Sequence, residues 1–171
     1  MKVTYTQGQT TFLVSLVVSF LCFSSPTLAA DTSSLPFSSI AGKDTSIQFN
    51  DYAGKVMLID FWASWCGPCR QSFPWMNEML AKYEDSGLVV IAINLDNEAS
   101  NAYAFLKDIS ANFLLGFDPE GKSAEIMNVE AMPMSYLIDR EGNIRHRMIG
   151  FNTEKKAEHE VYIQALLNEA K

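Results

Sequence analysis

The chain has 171 residues, of which 48% are hydrophobic and 19% charged, so we expect one domain with a hydrophobic core and exclude disordered, collagen-like and large multidomain proteins. The formal net charge of −7 is unfavourable for binding to phosphate backbones or anionic lipid, and we expect no nucleic-acid partner. Three cysteines are too few for a disulfide-stapled scaffold, so their role has to be found in their surroundings.

The first thirty residues have the three-part pattern of a secretory signal peptide. A polar start with one lysine precedes an apolar run over residues 12–23. The small residues Thr27 and Ala29 place the cleavage after Ala29, with cleavage after Ala30 as the second choice. The apolar run is shorter than the roughly 20 residues that a helix needs to span a bilayer. We therefore predict that residues 1–29 are a cleaved signal peptide. The alternative is an uncleaved membrane anchor through residues 12–23, with the domain facing the periplasm.

Cleavage would remove Cys22 and leave Cys66 and Cys69 as the cysteines of the mature chain. Export would carry this pair into the periplasm, a compartment in which disulfides can persist. The preceding residue of Cys22 is a leucine rather than the small residue of a lipoprotein signal, so we predict no lipid anchor there.

Strands and helices are predicted to alternate along the mature chain, after a flexible, serine-rich lead-in segment over residues 30–44. Apolar runs predict strands over residues 46–49, 56–62, 88–95, 113–117, 134–138 and 144–149. Helical spacing of apolar residues predicts helices over residues 67–83, 98–109, 122–127 and 153–170, the last capped by Thr153. This alternation, closed by an antiparallel hairpin, indicates an α/β domain with a mostly parallel sheet covered on both faces.

The chemistry of the chain is concentrated in Cys66-Gly67-Pro68-Cys69, which follows a strand and opens a helix. Unpaired amides at a helix N-terminus stabilise a thiolate, so we expect the pKa of Cys66 to lie below that of a free cysteine. Cys69 lies one turn further on and is expected to be more buried, with the higher pKa of the two. Cys66 would then attack a substrate disulfide, and Cys69 would resolve the mixed disulfide.

Two structural roles compete with redox chemistry for this pair. A disulfide that closes so short a loop removes little entropy from the unfolded chain, so a purely stabilising bridge gains little. A zinc site needs about two further ligands, and the two histidines, His146 and His159, fall in the hairpin and in the last helix. We expect both histidines to be surface residues without a role, and we predict neither a metal nor a cofactor.

The segment Asp60-Phe61-Trp62-Ala63-Ser64-Trp65-Cys66-Gly67-Pro68-Cys69 closely resembles the active-site segment of thioredoxin. Met132-Pro133, which enters an apolar strand, resembles the cis-proline loop of that family, and Gly150 matches the glycine that closes the same groove. The stretch between the second cysteine and Pro133 is longer than in plain thioredoxin. Together with the signal peptide, these features resemble the TlpA/ResA branch of extracytoplasmic thioredoxin-like proteins.

The resemblance implies a thioredoxin-like fold over residues 45–171, with a central mixed sheet flanked by helices. It also implies an extra αβ insertion between the first βαβ unit and the cis-proline loop. In this family the backbone before the cis-proline, here that of Met132, pairs with an extended substrate strand. The substrate-binding residues carried over are Trp65, Gly67, Pro68, Met132, Pro133 and Gly150. Trp62 is expected to belong to the core, and Met132 is as well suited to filling the core as to contacting substrate.

Asp60 is the one charged residue of an otherwise apolar predicted strand. Burial would raise its pKa, which suits a group that takes the proton from Cys69. The alternative is an exposed or hydrogen-bonded aspartate at the end of a strand. Asp60 also departs from many TlpA-type chains, which have asparagine here, and Ser72 stands where ResA-type members carry an acidic residue. The haem-maturation role of some relatives is therefore not carried over.

The sequence thus predicts an extracytoplasmic thiol–disulfide oxidoreductase that reduces disulfides of periplasmic client proteins and works as a monomer. Its Gly-Pro dipeptide resembles that of thioredoxin, which goes with a reduction potential of about −270 mV rather than the about −120 mV of DsbA. A reductant in an oxidising compartment must be recharged, so family analogy implies a membrane electron donor of thiol-reducing type. The alternatives are a periplasmic disulfide oxidant or isomerase and, from other classes, a thiol peroxidase or a non-catalytic metal or protein carrier.

Overall fold

A computed structural model of the chain describes residues 1, 2, 4 and 34–169. The cleavage site and the apolar run of the predicted signal peptide, and with them Cys22, lie outside the described residues. Within the part that is described, no helix combines the length and the apolar character needed to cross a membrane.

Residues 34–169 form a seven-stranded mixed sheet with four α-helices. The strands are β1 (Ser39–Gly42), β2 (Ile47–Gln48), β3 (Val56–Trp62), β4 (Leu88–Asn94), β5 (Leu114–Phe117), β6 (Met134–Ile138) and β7 (Ile144–Ile149). The helices are α1 (Cys69–Tyr83), α2 (Ala99–Asp108), α3 (Lys122–Ile126) and α4 (Lys156–Asn168), with short 3₁₀ turns over Phe49–Tyr52 and Thr153–Lys155.

The strand order is β2-β1-β5-β4-β3-β6-β7. Strands β3, β4 and β5 are parallel, whereas β6 pairs with β3, and β7 with β6, in antiparallel register. The segment α2–β5–α3 supplies the additional unit between β4 and the loop that precedes β6, because β5 joins the far side of β4. The predicted central mixed sheet with flanking helices and an αβ insertion is confirmed.

Strand β3 is buried over its whole length, and its side chains contribute to a separate hydrophobic core on each face of the sheet. Leu58 and Trp62 face a cluster that includes both site cysteines and residues of α1, α2 and α4. Ile59 and Phe61 face a second cluster, built with β6 and the segments around residues 47–49 and 127. Side chains alternate along a strand, so Asp60 points to the same face as Leu58 and Trp62, towards the cysteines.

Two local expectations are corrected by the fold. The lead-in segment predicted over residues 30–44 contains strand β1, which pairs with β2 and β5 and owes its conformation to these distant partners rather than to a local pattern. The turn before α4 is capped by Asn152 instead of Thr153: the Asn152 side chain accepts a hydrogen bond from the Lys155 N–H at 3.0 Å. Asparagine and threonine both favour such positions, so the sequence alone did not decide between them.

Candidate active site

Cys66 and Cys69 form a disulfide in the turn between β3 and α1, with their Cα atoms 5.3 Å apart. Helix α1 begins at Cys69, so Cys66 lies just ahead of the first helical turn. The Cys69 N–H donates a hydrogen bond to Sγ of Cys66 at 3.2 Å. Once the disulfide is opened, this donor and the partial positive charge of the helix end both stabilise a thiolate on Cys66.

The surroundings of the two sulfur atoms differ in their access to solvent. Cys69 is completely buried and Cys66 is 4% exposed, whereas the preceding Trp65 is 72% exposed. Gly67 and Pro68, between the cysteines, are exposed as well. A partner molecule can therefore approach the pair over this exposed turn and reach Cys66 before it reaches Cys69.

The peptide bond between Met132 and Pro133 is cis. Phe61 of β3 pairs with Met134 of β6, so the chain that precedes β6 and the chain that follows β3 leave the sheet at the same edge. Met132 is half-buried against the cluster that contains both cysteines. The structure thus brings the Met132-Pro133 loop to the edge of the sheet that carries the disulfide.

Gly150 lies beside this loop. Its N–H donates a hydrogen bond to the carbonyl oxygen of Pro133 at 2.8 Å, and its φ of 69° lies in the left-handed region. A Cβ at this position would have no atom within 4 Å, so the backbone conformation, and not lack of space, is what favours glycine here.

Asp60 is fully buried, which excludes the exposed alternative considered for it. Its Oδ1 accepts a hydrogen bond from the Ser135 hydroxyl, and its Oδ2 has no hydrogen-bond partner among the described residues. Burial raises the pKa of Asp60 to about 7, and the bond from Ser135 acts in the opposite direction. Such a carboxyl group exchanges its proton in the neutral range, as a general base at this pH must.

Sequence reasoning missed a second polar group, which fixes the turn ahead of Cys66. The buried carboxylate of Asp96 accepts hydrogen bonds from the Ser64 N–H and hydroxyl, both at 2.9 Å, and from the Asn94 side-chain amide at 2.8 Å. Asn94 ends β4 and Asp96 follows it, so polar residues directly after a buried strand were the available signal. The Cys66 N–H closes the same turn by donating to the carbonyl oxygen of Ala63 at 3.0 Å.

Two further residues considered in the sequence analysis, Trp62 and Ser72, are buried. Trp62 is fully buried and packs against Phe73 and Phe105, each with a ring-centroid distance of 4.8 Å. Ser72 is also buried, and its hydroxyl donates to the carbonyl oxygen of Cys69 at 3.1 Å. Trp62 therefore belongs to the core, as expected.

The two histidines differ from each other. His159 is buried, with ring-centroid distances of 5.7 Å to Trp75 and 6.1 Å to Phe151, and burial lowers its pKa. The expectation that His159 is a surface residue was wrong, because charged neighbours in sequence obscured its position on the inner side of α4. His146 is half-buried and stacks on Tyr162 with a ring-centroid distance of 4.2 Å. Across the described ranges, no group of three or more His, Cys, Asp or Glu residues is placed to hold a metal ion.

Comparisons with known proteins show which families and folds this chain is similar to. The Redoxin family model matches residues 18–166. The thiol-disulfide oxidoreductase ResA of a Bacillus cereus strain is 32% identical over 112 residues, which cover 66% of this chain and 65% of that protein. The match thus spans just under two thirds of this relative's length.

Two solved structures are similar over most of their length. One, from Chlorobium tepidum, is provisionally assigned as the thiol:disulfide interchange protein DsbE; it is 43% identical with a TM-score of 0.78, covering 80% of this chain and 97% of that one. The other, from Bacteroides thetaiotaomicron, is provisionally assigned as a protein disulfide isomerase; it is 28% identical with a TM-score of 0.72, covering 80% and 89%. These likenesses confirm the thioredoxin-like fold and the similarity to the ResA branch.

Proposed function

Because this chain belongs to the redoxin family, we propose that it is a thiol–disulfide oxidoreductase with Cys66 as the nucleophile and Cys69 as the resolving thiol. The observation that carries the proposal is the disulfide at the start of α1, where the Cys69 N–H donates to Sγ of Cys66. The names of the similar proteins, which refer to thiol–disulfide chemistry, support the same reaction class.

The proposed cycle starts from the reduced pair. The Cys66 thiolate attacks one sulfur of a client disulfide, a mixed disulfide forms, and the other client sulfur leaves as a thiolate. Asp60 takes the proton of Cys69, and the new thiolate attacks Sγ of Cys66. The Cys66–Cys69 bond forms while the bond to the client breaks, and the second client thiolate leaves and is protonated. Two electrons pass from the pair to the client in each cycle.

Client binding is assigned to the exposed edge around the disulfide. Trp65, Gly67 and Pro68 offer a surface beside Cys66, and the backbone of Met132 would pair with an extended client segment. Pro133 and Gly150 would keep that backbone in place through the hydrogen bond that joins them.

The direction of electron flow is proposed to be reductive, and the place of action periplasmic. Residues 1–29 would direct export as a cleaved signal peptide, or residues 12–23 would retain the domain at the membrane. Clients are then disulfide-containing periplasmic proteins, a membrane electron donor of thiol-reducing type restores the pair, and the protein acts as a monomer.

A disulfide isomerase is the second candidate, favoured by the similarity to the Bacteroides thetaiotaomicron structure. Equilibration with glutathione buffers separates these assignments, because the reduction potential is about −270 mV for thioredoxin, about −180 mV for protein disulfide isomerase and about −120 mV for the oxidant DsbA. A value close to that of the isomerase or of the oxidant would overturn the reductive assignment and leave the reaction class intact.

The reaction class itself is tested by trapping. The Cys69→Ser variant retains the attacking thiol and lacks the resolving one, so it should accumulate mixed disulfides with clients in periplasmic extracts. The matched Cys66→Ser variant should capture none. If Cys69→Ser captures no protein and the wild type does not reduce insulin, the proposed relay of two thiols is wrong.

A further inference from the structure

The Asp60 side chain accepts its hydrogen bond from Ser135, a residue of β6, which lies outside the cysteine motif. In the ladder between β3 and β6, Asp60 is directly paired with Ser135, and residues opposed in this way carry their side chains on the same face. The Ser135 hydroxyl donates to Oδ1 of Asp60. Both residues are buried, Ser135 with 9% exposure and Asp60 with none.

The neighbouring strands offer Asp60 no other side-chain donor in register. Its partner in β4 is Ala92, which has no polar side chain. Two residues of β6, Ser135 and Tyr136, carry a hydroxyl group. The Tyr136 hydroxyl is bonded to the Met127 carbonyl oxygen on the other face of the sheet. A buried hydroxyl without a partner is costly, so the pairing satisfies the Ser135 hydroxyl and one carboxylate oxygen of Asp60, Oδ1.

The remaining surroundings of Asp60 are mostly apolar. The titratable side chains on the elements packed against this face of the sheet are the cysteine pair and Tyr83 of α1, and His159 and Tyr162 of α4. The loop after β4 adds the buried carboxylate of Asp96, which is bonded to Ser64 and Asn94. Ser72 of α1 directs its hydroxyl to the Cys69 carbonyl oxygen instead. Ser135 is therefore the group that orients the Asp60 carboxylate.

We propose that Ser135 is a positioning residue for the resolving step: it holds Oδ1 of Asp60 and leaves Oδ2 as the atom that accepts the proton of Cys69. This inference rests on the proposed function, in which Asp60 removes that proton. The step balances as a transfer of one proton from Sγ of Cys69 to Oδ2, followed by attack of the Cys69 thiolate on Sγ of Cys66.

The hydroxyl also favours the charged form of the carboxylate. Burial alone would raise the pKa of Asp60 further, and the hydrogen bond from Ser135 counteracts it. A bond to the charged form is stronger than a bond to the neutral one. Removing the hydroxyl should thus leave more of Asp60 protonated, and unable to accept a proton, near neutral pH.

Ellman's reagent separates the two chemical steps in the reduced full-length chain that carries Cys22→Ser, a substitution that leaves Cys66 and Cys69 as the thiols able to react. The first thionitrobenzoate is released when Cys66 attacks the reagent, and the second when Cys69 attacks the resulting mixed disulfide. In Ser135→Ala we expect an unchanged first release and a second release slowed by about threefold to tenfold at neutral pH. The midpoint of the pH profile of the second release should move upwards.

Matched variants separate positioning from packing. Ser135→Thr keeps the hydroxyl and should restore the wild-type profile, whereas Ser135→Val has the same shape as that threonine variant without the hydroxyl and should behave like Ser135→Ala. These two variants give the comparison even if alanine prevents folding. Ser123→Ala removes another buried hydrogen bond from serine to a carboxylate, that to Asp118, and should leave the second release unchanged.

The outcomes distinguish this inference from the function on which it rests. If the wild type releases one thionitrobenzoate and never the second, the two-thiol function is wrong. If the wild type releases both, while Ser135→Ala and Ser135→Val keep its pH profile, the role of Ser135 is overturned and the function stands. An upward shift in both variants, reversed in Ser135→Thr, supports the role.

Discussion

Two buried carboxylates in different parts of the fold differ in the number of hydrogen-bond donors that they have. Asp60, in β3 beside the site, has one hydrogen-bond donor on Oδ1 and none among the described residues on Oδ2. Burial raises its pKa to about 7. Asp139 lies in the turn between β6 and β7, away from the disulfide, and is 4% exposed.

Asp139 has several donors where Asp60 has one. Its oxygens accept from the N–H groups of Asn143 at 2.8 Å and Glu141 at 3.1 Å, and from the Arg145 guanidinium at 3.2 Å. Burial acts to raise the pKa of Asp139, but these hydrogen bonds outweigh it and the pKa is lowered. Burial alone therefore does not make a proton acceptor. A buried carboxylate remains available for chemistry when its donors are too few to fix its charge.

The largest expected effect is on catalysis at Asp60. In Asp60→Asn, release of the second thionitrobenzoate should slow by about 100-fold at neutral pH, because the general base is lost. The first release, by Cys66, should change by less than about twofold. Stopped-flow measurement of both releases checks this. Equal slowing of the two steps would contradict the proton-acceptor role, and Asp139→Asn, the control, should leave both steps unchanged.

The same substitution should stabilise the oxidised protein. Folded Asp60 keeps its proton up to about pH 7, whereas the unfolded chain loses it near the ordinary pKa of 3.8. The folded state thus binds more protons between these values, and stability falls as the pH rises through them. In urea denaturation we expect Asp60→Asn to be more stable than the wild type by about 2–4 kcal/mol at about pH 8, with no gain at about pH 4. A loss of stability in Asp60→Asn at about pH 8 would contradict the assignment of Asp60 as a buried carboxylate with an unsatisfied oxygen.

Asp139→Asn should act in the opposite direction. Its lowered pKa means that the carboxylate stabilises the fold above the ordinary value of 3.8, a contribution lost as the pH falls through the folded value. We expect a loss of about 1–3 kcal/mol at neutral pH, because an amide cannot accept all these hydrogen bonds. The loss should shrink in acid. If it persisted unchanged in acid, the charge of Asp139 would not be its cause.

A third buried carboxylate, Asp96, resembles Asp139 in its number of donors and yet lies at the site end. Ser64→Ala removes its hydroxyl partner, and we expect a loss of about 1 kcal/mol in the free energy of unfolding. Attack by Cys66 should slow by about twofold to threefold as the turn loosens, without a change in its pH profile. A shifted pH profile of the Cys66 attack would mean that Asp96 acts through its charge and not by holding the turn in place.

The sequence predicted those features that depend on neighbouring residues in the chain, and it missed those that depend on contacts between distant segments. The limits of β3, β6 and β7 followed from their apolar runs, and the Cys66–Cys69 motif indicated the chemistry at once. Strand β1 was not predicted, because its conformation depends on pairing with β5, which lies far along the chain. The burial of His159 and the bond between Ser135 and Asp60 likewise arise only when separate elements pack together.

The claim at the centre of this account is that the two thiols of the reduced pair differ in acidity. Thiolate ultraviolet absorbance, followed against pH in the wild type and in the Cys66→Ser and Cys69→Ser variants, tests it directly. We predict that the pKa of Cys66 lies below that of a free cysteine and that of Cys69 above it, because the helix end and the Cys69 N–H favour the first thiolate while burial opposes the second. If both thiols ionised together at the alkaline pH of ordinary cysteines, the proposed electron-transferring pair would be contradicted.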